Sequence, residues 1–264
     1  MSDDATVLEH VRSGDGTRIA YRRSGDGPPL VLVHGATGAH WSFRFLVPAL
    51  VDRFSVFAID RRGRGESGDR GDYAIELEFE DVAAVVDSIA EPTGLLGHSY
   101  GATVALGAAL VARNLHKLVL YEASPGISVV SAEDVERVDD LVSRGEREEA
   151  LSHALRTFGL TPDELEQIRA SPTWSERVAA AHTVVREIRA EEGYRIDPGR
   201  FRDLTAPTLL LLGSESPDWA REGTERIRAA LPDARVAVLP RQGHAAIMTA
   251  PELVAEEVAR FLGK

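Results

Sequence analysis

The feature of this sequence that most restricts its fold is a series of short, almost uninterrupted apolar runs separated by helical segments. The clearest run is residues 30–33, where Leu-Val-Leu-Val has no polar alternation. A strand that is apolar on both faces is typical of a parallel sheet covered by helices on both sides. The predicted strands are residues 7–11, 18–23, 30–33, 55–59, 94–96, 117–121, 208–212 and 235–239.

Segments of helical composition lie between most of these runs. They are residues 41–50, 77–89, 102–112 and 219–231, and a final amphipathic segment, 251–262, opens with a proline at a favourable first helical position. Such alternation favours a doubly wound, mainly parallel α/β sheet of eight strands. The Ser-Gly-Asp-Gly turn at residues 13–16 predicts that the first two strands form an antiparallel hairpin at the edge.

One stretch breaks the alternation, because residues 127–201 contain no convincing strand. Apolar residues at 174, 178, 181, 185 and 188 are spaced by four and three, which predicts the packed face of a helix. We interpret the stretch as a helical cap over the carboxyl ends of the strands, where open α/β sheets bind ligands. The predicted domains are a core of residues 1–126 and 202–264 and a cap of residues 127–201.

The most informative motif is Gly-His-Ser-Tyr-Gly at residues 97–101, which lies between a predicted strand and a predicted helix. This is the G-x-S-x-G pattern in the strand-turn-helix context that its chemistry requires. Glycine at the flanking positions relieves the crowding of a strained turn. The helix that follows directs its positive end toward the serine, where negative charge would develop.

With this motif in place, the chain resembles the α/β-hydrolase-fold superfamily, in its serine-nucleophile branch of esterases and lactonases, over nearly its whole length. Residues 34–38 (HGATG) resemble the family's oxyanion loop, and residues 60–67 (DRRGRGES) resemble its turn of aspartate, arginine and glycine. Residues 242–244 (QGH) follow the last strand, where the family keeps its histidine. The predicted cap also lies where the family inserts one.

The resemblance implies roles for particular residues. Ser99 would be the nucleophile and His244 the base, because a serine hydroxyl is weakly nucleophilic until a neighbouring group takes its proton. The backbone N–H groups of Ala36 and Tyr100 would form the oxyanion hole. His34 would support that loop. For the substrate we expect an apolar pocket supplied by the interior of the cap, with Trp41 and Trp174 as the main lining candidates and Phe43 and Tyr100 as further ones.

The acid of the triad departs from the family's usual pattern. An aspartate usually stands three residues after the glycine that ends the seventh strand, but here that position is Ser216. Glu122 directly follows the preceding predicted strand, and some relatives take their acid from that strand. The chain order of serine, acid and histidine is then preserved. We favour Glu122, with Glu215 and Asp218 as alternatives that would need a shifted loop.

A serine at this turn favours hydrolysis of a small carboxylic ester, lactone or thioester through an acyl-serine intermediate. Two other hypotheses stay open. In the first, the same triad serves a carbon–carbon bond hydrolase or lyase, or a cofactor-free perhydrolase. In the second, the chain is a non-catalytic binding protein with a hydrolase fold.

Composition excludes several classes of protein. The 44% hydrophobic and 27% charged residues are ordinary for a globular domain, and a net charge of −12 argues against nucleic-acid binding. Cysteine is absent, which removes disulfides and thiolate metal sites and fits a cytoplasmic location. We predict no metal, no cofactor, no secretory signal and no membrane span. The expected partner is a small-molecule substrate, and the oligomeric state, including a homodimer, is left open.

Overall fold

A computed structural model describes residues 6–263. Residues 1–5 and Lys264 lie outside the described residues. The prediction that the chain starts without a secretory signal falls on the first of these segments. The strands are β1 (Val7–Arg12), β2 (Arg18–Ser24), β3 (Pro29–Val33), β4 (Ser55–Ile59), β5 (Thr93–His98), β6 (Leu115–Tyr121), β7 (Thr208–Gly213) and β8 (Ala234–Leu239).

Twelve α-helices complete the described part of the chain. They are α1 (Leu46–Leu50), α2 (Ile75–Ser88), α3 (Tyr100–Ala108), α4 (Ala132–Ser143), α5 (Arg147–Thr157), α6 (Pro162–Arg169), α7 (Trp174–Ala179), α8 (Val184–Gly193), α9 (Pro198–Phe201), α10 (Asp218–Ala230), α11 (Ala246–Thr249) and α12 (Pro251–Leu262). Two short 3₁₀ helices, His40–Phe43 and Ala181–Thr183, lie before α1 and α8.

The eight strands form one sheet in the order β1-β2-β4-β3-β5-β6-β7-β8. β1 and β2 pair antiparallel, β2 pairs antiparallel with β4, and all other neighbours are parallel. The predicted eight-stranded, mainly parallel sheet with an antiparallel hairpin at its edge is therefore confirmed.

Two apolar cores, one on each face of the sheet, explain why its central strands lack polar alternation. Along β3, Val31 and Val33 pack with α2 and α3, whereas Leu30 and Leu32 pack with α1 and α12. All four side chains are fully buried. Burial of alternate residues in opposite cores requires an apolar residue at every position of the strand.

The helices between β6 and β7 build two small apolar clusters of their own. One joins α4, α5 and α8 through residues such as Val138, Ala150 and Val184, and the other joins α5 and α6 through Leu151 and Leu165. At the end of this region, Tyr194 and Phe201 pack with the core between the sheet and α2 instead. The division into core and cap at residues 127 and 201 stays a prediction.

The structure differs from two helix expectations. The apolar stripe from Trp174 to Ile188 does not lie on one helix, because α7 ends at Ala179 and the 3₁₀ turn Ala181–Thr183 separates it from α8. The predicted helix 41–50 is likewise divided into His40–Phe43 and α1. In both places the spacing of apolar residues carries across a bend.

Candidate active site

The sharp turn between β5 and α3 presents Ser99. Its backbone has φ 56° and ψ −130°, a conformation with positive φ that residues other than glycine rarely adopt. A Cβ at residue 97 would overlap the backbone of Gly101 and Ala102, and a Cβ at residue 101 would overlap the carbonyls of Val33 and His34. The two glycines of the motif are therefore required by the turn itself and by its close approach to β3.

The loop after β3 is held by a buried histidine. The ring of His34 accepts the N–H of Arg61 at Nε2 over 3.2 Å, and its Nδ1–H donates to the carbonyl of Gly35 over 2.8 Å. Burial, followed by the charges of Arg61 and Arg64, lowers the pKa of His34 well below 6.5. His34 is therefore a neutral scaffold group that fixes the start of this loop.

The backbone N–H groups of Ala36 and Tyr100 are unpaired at the site. Within the described residues, neither donates a hydrogen bond to another protein group, and both residues line the same cavity as Ser99. Tyr100 is the first residue of α3, so its N–H has no acceptor within the helix. Its side chain is buried, with its hydroxyl hydrogen-bonded to Tyr73. Two backbone N–H groups without a protein acceptor therefore belong to residues that line the same cavity as Ser99.

The structure brings Glu122 and His244 together. Nδ1 of His244 lies 2.7 Å from Oε2 of Glu122, whose side chain is fully buried directly after β6. The other carboxylate oxygen, Oε1, accepts the N–H of Gly213 over 2.8 Å and the hydroxyl of Ser216. These contacts hold the carboxylate and the imidazole in one relative orientation.

The alternative acids lie elsewhere. Glu215 and Asp218 are both exposed, and neither side chain bonds to His244 in the part of the chain that the structure describes. Ser216, the residue at the family's usual acid position, is buried and donates to Glu122. Of the three carboxylates that the sequence offered, the geometry joins Glu122 alone to the imidazole.

Two aromatic rings enclose His244. His98 donates its Nε2–H to the backbone carbonyl of His244 over 2.9 Å, and the two rings lie 4.7 Å apart. Trp219 meets the imidazole edge-on at 4.9 Å. Burial and the charge of His244 lower the pKa of His98 to about 3, so His98 stays neutral and acts as a donor.

Ser99 and His244 both border a cavity of about 220 Å³. Ser99 Oγ makes no hydrogen bond to the described residues, His244 included. Most of the wall is apolar, and the region between β6 and β7 supplies Ile127, Val129, Val130, Leu155, Phe158, Leu160, Ile168 and Ile188. Trp219, Ile247 and Met248 close the side near the histidine.

The expected tryptophan lining differs from what the structure shows. Neither Trp41 nor Trp174 is among the residues, all within 6–263, that border the cavity. The indole N–H of Trp41 donates to Glu176 over 2.7 Å and its ring lies under the guanidinium of Arg177. Trp174 packs with the cluster of α5 and α6. Phe43 is fully buried in the core under α1 and α12, so of the expected aromatics only Tyr100 borders the cavity.

The arginines of the turn after β4 are structural. Arg61 binds Glu78 and Glu187, and Arg64 also binds Glu187, over distances of 2.7–3.0 Å. Arg62 binds Asp81 through two bonds of 2.7 Å. Because Glu187 lies on α8, its pairs with Arg61 and Arg64 connect the region between β6 and β7 to the turn after β4. Together with the pair of Arg62 and Asp81, they engage all three arginines of this turn with carboxylates of the protein itself rather than with a substrate anion.

Sequence reasoning did not identify four residues that contribute to the site. Ser216, His98 and Trp219 contact the acid or the histidine, and Arg177 borders the cavity. Only Ser216 carried a signal, since it occupies the family's acid position without a charge.

Among residues 6–263, no group of three or more histidine, aspartate or glutamate side chains could hold a metal ion. No described helix is both long enough and apolar enough to cross a membrane.

Comparison with known proteins decides the family. The model of the alpha/beta hydrolase family matches residues 30–257. The chain belongs to this family. The crystal structure of an alpha/beta hydrolase from Sphaerobacter thermophilus superimposes with a TM-score of 0.83 at 34% identity, covering 96% of this chain and all of that one.

Two sequence relatives also match the present chain over most of their own length. The uncharacterized hydrolase YugF of Bacillus subtilis is 27% identical over 248 residues, which cover 88% of this chain and 89% of the relative. The 2-hydroxy-6-oxo-6-(2'-aminophenyl)hexa-2,4-dienoic acid hydrolase of Metapseudomonas resinovorans is 24% identical over a match that covers 100% of this chain and 93% of the relative. Both relatives are hydrolases, and this chain, as a member of the same family, is a hydrolase too.

Proposed function

We propose that this protein is a serine hydrolase that cleaves a small carboxylic ester, lactone or thioester through an acyl-serine intermediate. Ser99 is the nucleophile, His244 the general base and Glu122 the acid that orients the imidazole. The observation that carries the proposal is the 2.7 Å contact between His244 Nδ1 and a fully buried Glu122, because His244 borders the same cavity as the strained Ser99. A carboxylate at Nδ1 keeps the other ring nitrogen free to accept a proton.

The reaction follows from these positions. Substrate binding brings Ser99 Oγ within reach of His244 Nε2, a contact that often tightens only in the complex. Oγ attacks the carbonyl carbon as its proton passes to Nε2, and the oxyanion accepts hydrogen bonds from the free N–H groups of Ala36 and Tyr100. The alcohol or thiol leaves with the proton from Nε2. Water then attacks the acyl-serine by the same route and releases the carboxylic acid.

The size and lining of the cavity restrict the substrate. About 220 Å³ accommodates a small acyl or alcohol group, and the wall is mostly aliphatic. We further propose that residues 127–201 act as a cap that keeps water away from the acyl-enzyme, because eight of the apolar wall residues come from this region. The cap and core boundaries predicted from the sequence enter here as part of the proposal.

The test combines turnover with active-site labelling. We expect the wild type to hydrolyse 4-nitrophenyl acetate or butyrate and to bind a fluorophosphonate probe covalently, whereas Ser99→Ala loses both. Ser42→Ala is the matched control, because Ser42 is another serine on the cavity wall. Labelling that persists in Ser99→Ala and disappears in Ser42→Ala would refute the assignment. A folded protein with neither turnover nor labelling would instead be a binding protein.

The relative from Metapseudomonas resinovorans favours one further candidate. Its named substrate is an oxo acid rather than an ester, and the match covers 100% of this chain. The same serine and histidine could hydrolyse a carbon–carbon bond beside such a ketone. Cleavage of a vinylogous diketone by a protein that leaves 4-nitrophenyl esters intact would favour this candidate.

A further inference from the structure

The cavity wall contains one cation. Arg177 on α7 is the only lysine or arginine among the residues, all within the described range, that border the cavity. Its Nη1 donates to the carbonyl oxygen and the hydroxyl of Thr37 over 2.9 and 3.0 Å. Its guanidinium carbon lies 4.3 Å from the ring centre of Trp41, which is itself buried. Both contacts hold the guanidinium in a fixed place and orientation.

Arg177 lacks a counter-ion within the described chain. Arg61, Arg62 and Arg64, the buried arginines nearby, are each paired with a carboxylate. Arg177 is in none of the ion pairs, its Nε is buried without an acceptor and its Nη2 makes no hydrogen bond. Burial, followed by the charges of Arg44 and Arg64, lowers the pKa of Arg177 to about 10, so it remains charged at neutral pH.

The acidic residues of the wall are engaged elsewhere. Glu187 offers one oxygen to both Arg61 and Arg64, so two guanidinium groups offset its charge. Glu191 accepts the hydroxyl of Thr103, and burial raises its pKa, which favours the neutral form. Glu192 accepts the hydroxyl of Ser128. Arg177 is therefore a positive charge without an ion-pair partner among the described residues, in a protein whose net charge is −12.

We propose that Arg177 binds a second, non-reacting carboxylate of the substrate. With Nη1 held by Thr37 and Nε buried, Nη2 is the guanidinium nitrogen left to donate a charge-assisted hydrogen bond to a carboxylate in the cavity. Thr37 directly follows Ala36, the oxyanion donor of the proposed mechanism, so this carboxylate lies a few carbons from the reacting carbonyl. The substrate class is the half-ester of a short dicarboxylic acid, an inference that rests on the proposed function.

The test compares charged and neutral esters of equal length. The probes are 4-nitrophenyl half-esters of succinate, glutarate and adipate, each paired with its methyl-capped diester. We expect the wild type to prefer at least one half-ester, and Arg177→Gln to lower the ratio of kcat/KM for half-ester over diester about tenfold or more. Arg177→Lys, which keeps the charge but not the planar guanidinium that Thr37 and Trp41 hold in place, should have an intermediate ratio.

The ratio separates binding from a merely structural role. Because Arg177 also holds Thr37, its loss could disturb the oxyanion loop, but such a defect would slow both esters equally. Arg169→Gln is the matched control, since Arg169 also lies over a tryptophan in the cap but does not border the cavity. Equal fold-losses for half-ester and diester in Arg177→Gln and Arg177→Lys would overturn the inference and leave the proposed function intact.

Binding of glutarate to Ser99→Ala protein tests the subsite without turnover. Calorimetry should detect a dicarboxylate site that Arg177→Gln removes from the Ser99→Ala background and Arg169→Gln does not. Binding of glutarate in a protein that hydrolyses no ester would support the subsite while refuting the esterase. Wild-type turnover of diesters together with no glutarate binding and no half-ester preference would refute the subsite alone.

Discussion

Replacement of Glu122 by glutamine is the most direct test of the triad, because the structure predicts which way the new amide must face. Oε1 of Glu122 accepts the N–H of Gly213 over 2.8 Å and the hydroxyl of Ser216, so the amide oxygen of the substituted side chain must take that place. Its NH₂ group then faces Nδ1 of His244, where the carboxylate oxygen now lies at 2.7 Å. Nδ1 becomes an acceptor, and the ring proton moves to Nε2.

A proton on Nε2 blocks the nitrogen that should accept the proton of Ser99. The same change of tautomer in a Ser-His-Asp enzyme lowers kcat about 10⁴-fold. At about 1.36 kcal/mol per factor of ten, this loss corresponds to about 5 kcal/mol of transition-state stabilisation. We expect a loss of this size in kcat for Glu122→Gln, with KM little changed because Glu122 does not border the cavity.

The assay is steady-state hydrolysis of the best 4-nitrophenyl ester, together with the rate of fluorophosphonate labelling. Glu215→Gln and Asp218→Asn are matched controls, since both remove a charge from the exposed loop after β7 and should change kcat less than about twofold. A Glu122→Gln enzyme within about tenfold of the wild type would refute the reasoning. A large loss in Asp218→Asn instead would transfer the role to the other strand.

Two further predictions concern stability. Gly101→Ala should destabilise the fold by about 2–3 kcal/mol in denaturant unfolding, since the new Cβ would overlap backbone carbonyls of β3 and the loop after it, whereas Gly193→Ala, with open space around it, should be near neutral. His98, with its lowered folded pKa of about 3, takes up a proton on unfolding between pH 6.5 and 3, so stability falls as the pH falls through this window. The free energy of unfolding of His98→Asn, which keeps a donor for the carbonyl of His244, should fall by about 1–2 kcal/mol less than that of the wild type between pH 7 and 5. Equal decreases in the two proteins would contradict the lowered pKa of His98.

The elements that could be predicted from the sequence are those whose constraints are local. A strand buried on both faces must be apolar at nearly every position, and β3, β6 and β7 have such runs. The sharp turn between β5 and α3 needs glycine at positions 97 and 101, because a Cβ there would overlap the turn's own backbone or that of β3 and the residue after it. The mainly parallel pairing of the strands also followed from their alternation with helices. These features need no knowledge of distant contacts.

The tryptophans and Arg177 could not be predicted in the same way, because their environment depends on contacts far apart in the chain. Trp41 contacts Glu176 and Arg177 across more than 130 residues, so its indole packs where the 3₁₀ helix His40–Phe43 meets α7 and does not border the cavity. The apolar stripe from Trp174 to Ile188 predicts one helix because the apolar spacing continues through the 3₁₀ turn Ala181–Thr183. Periodicity reports which face is buried but not where a helix bends.

The position of the acid shows how the sheet makes two solutions equivalent. β6 and β7 are parallel neighbours, with Tyr121 opposite Leu211, so residue 122 and the loop after Gly213 reach the same edge. Ser216 is within hydrogen-bonding contact of Glu122, so an aspartate there would bring two carboxylates together and raise the pKa of one of them. One acid at the end of either strand would therefore reach the histidine. With an acid at the end of each strand, the two carboxylates could not both remain ionised. The serine at 216 is thus the complement of the glutamate at 122, and each residue explains the other.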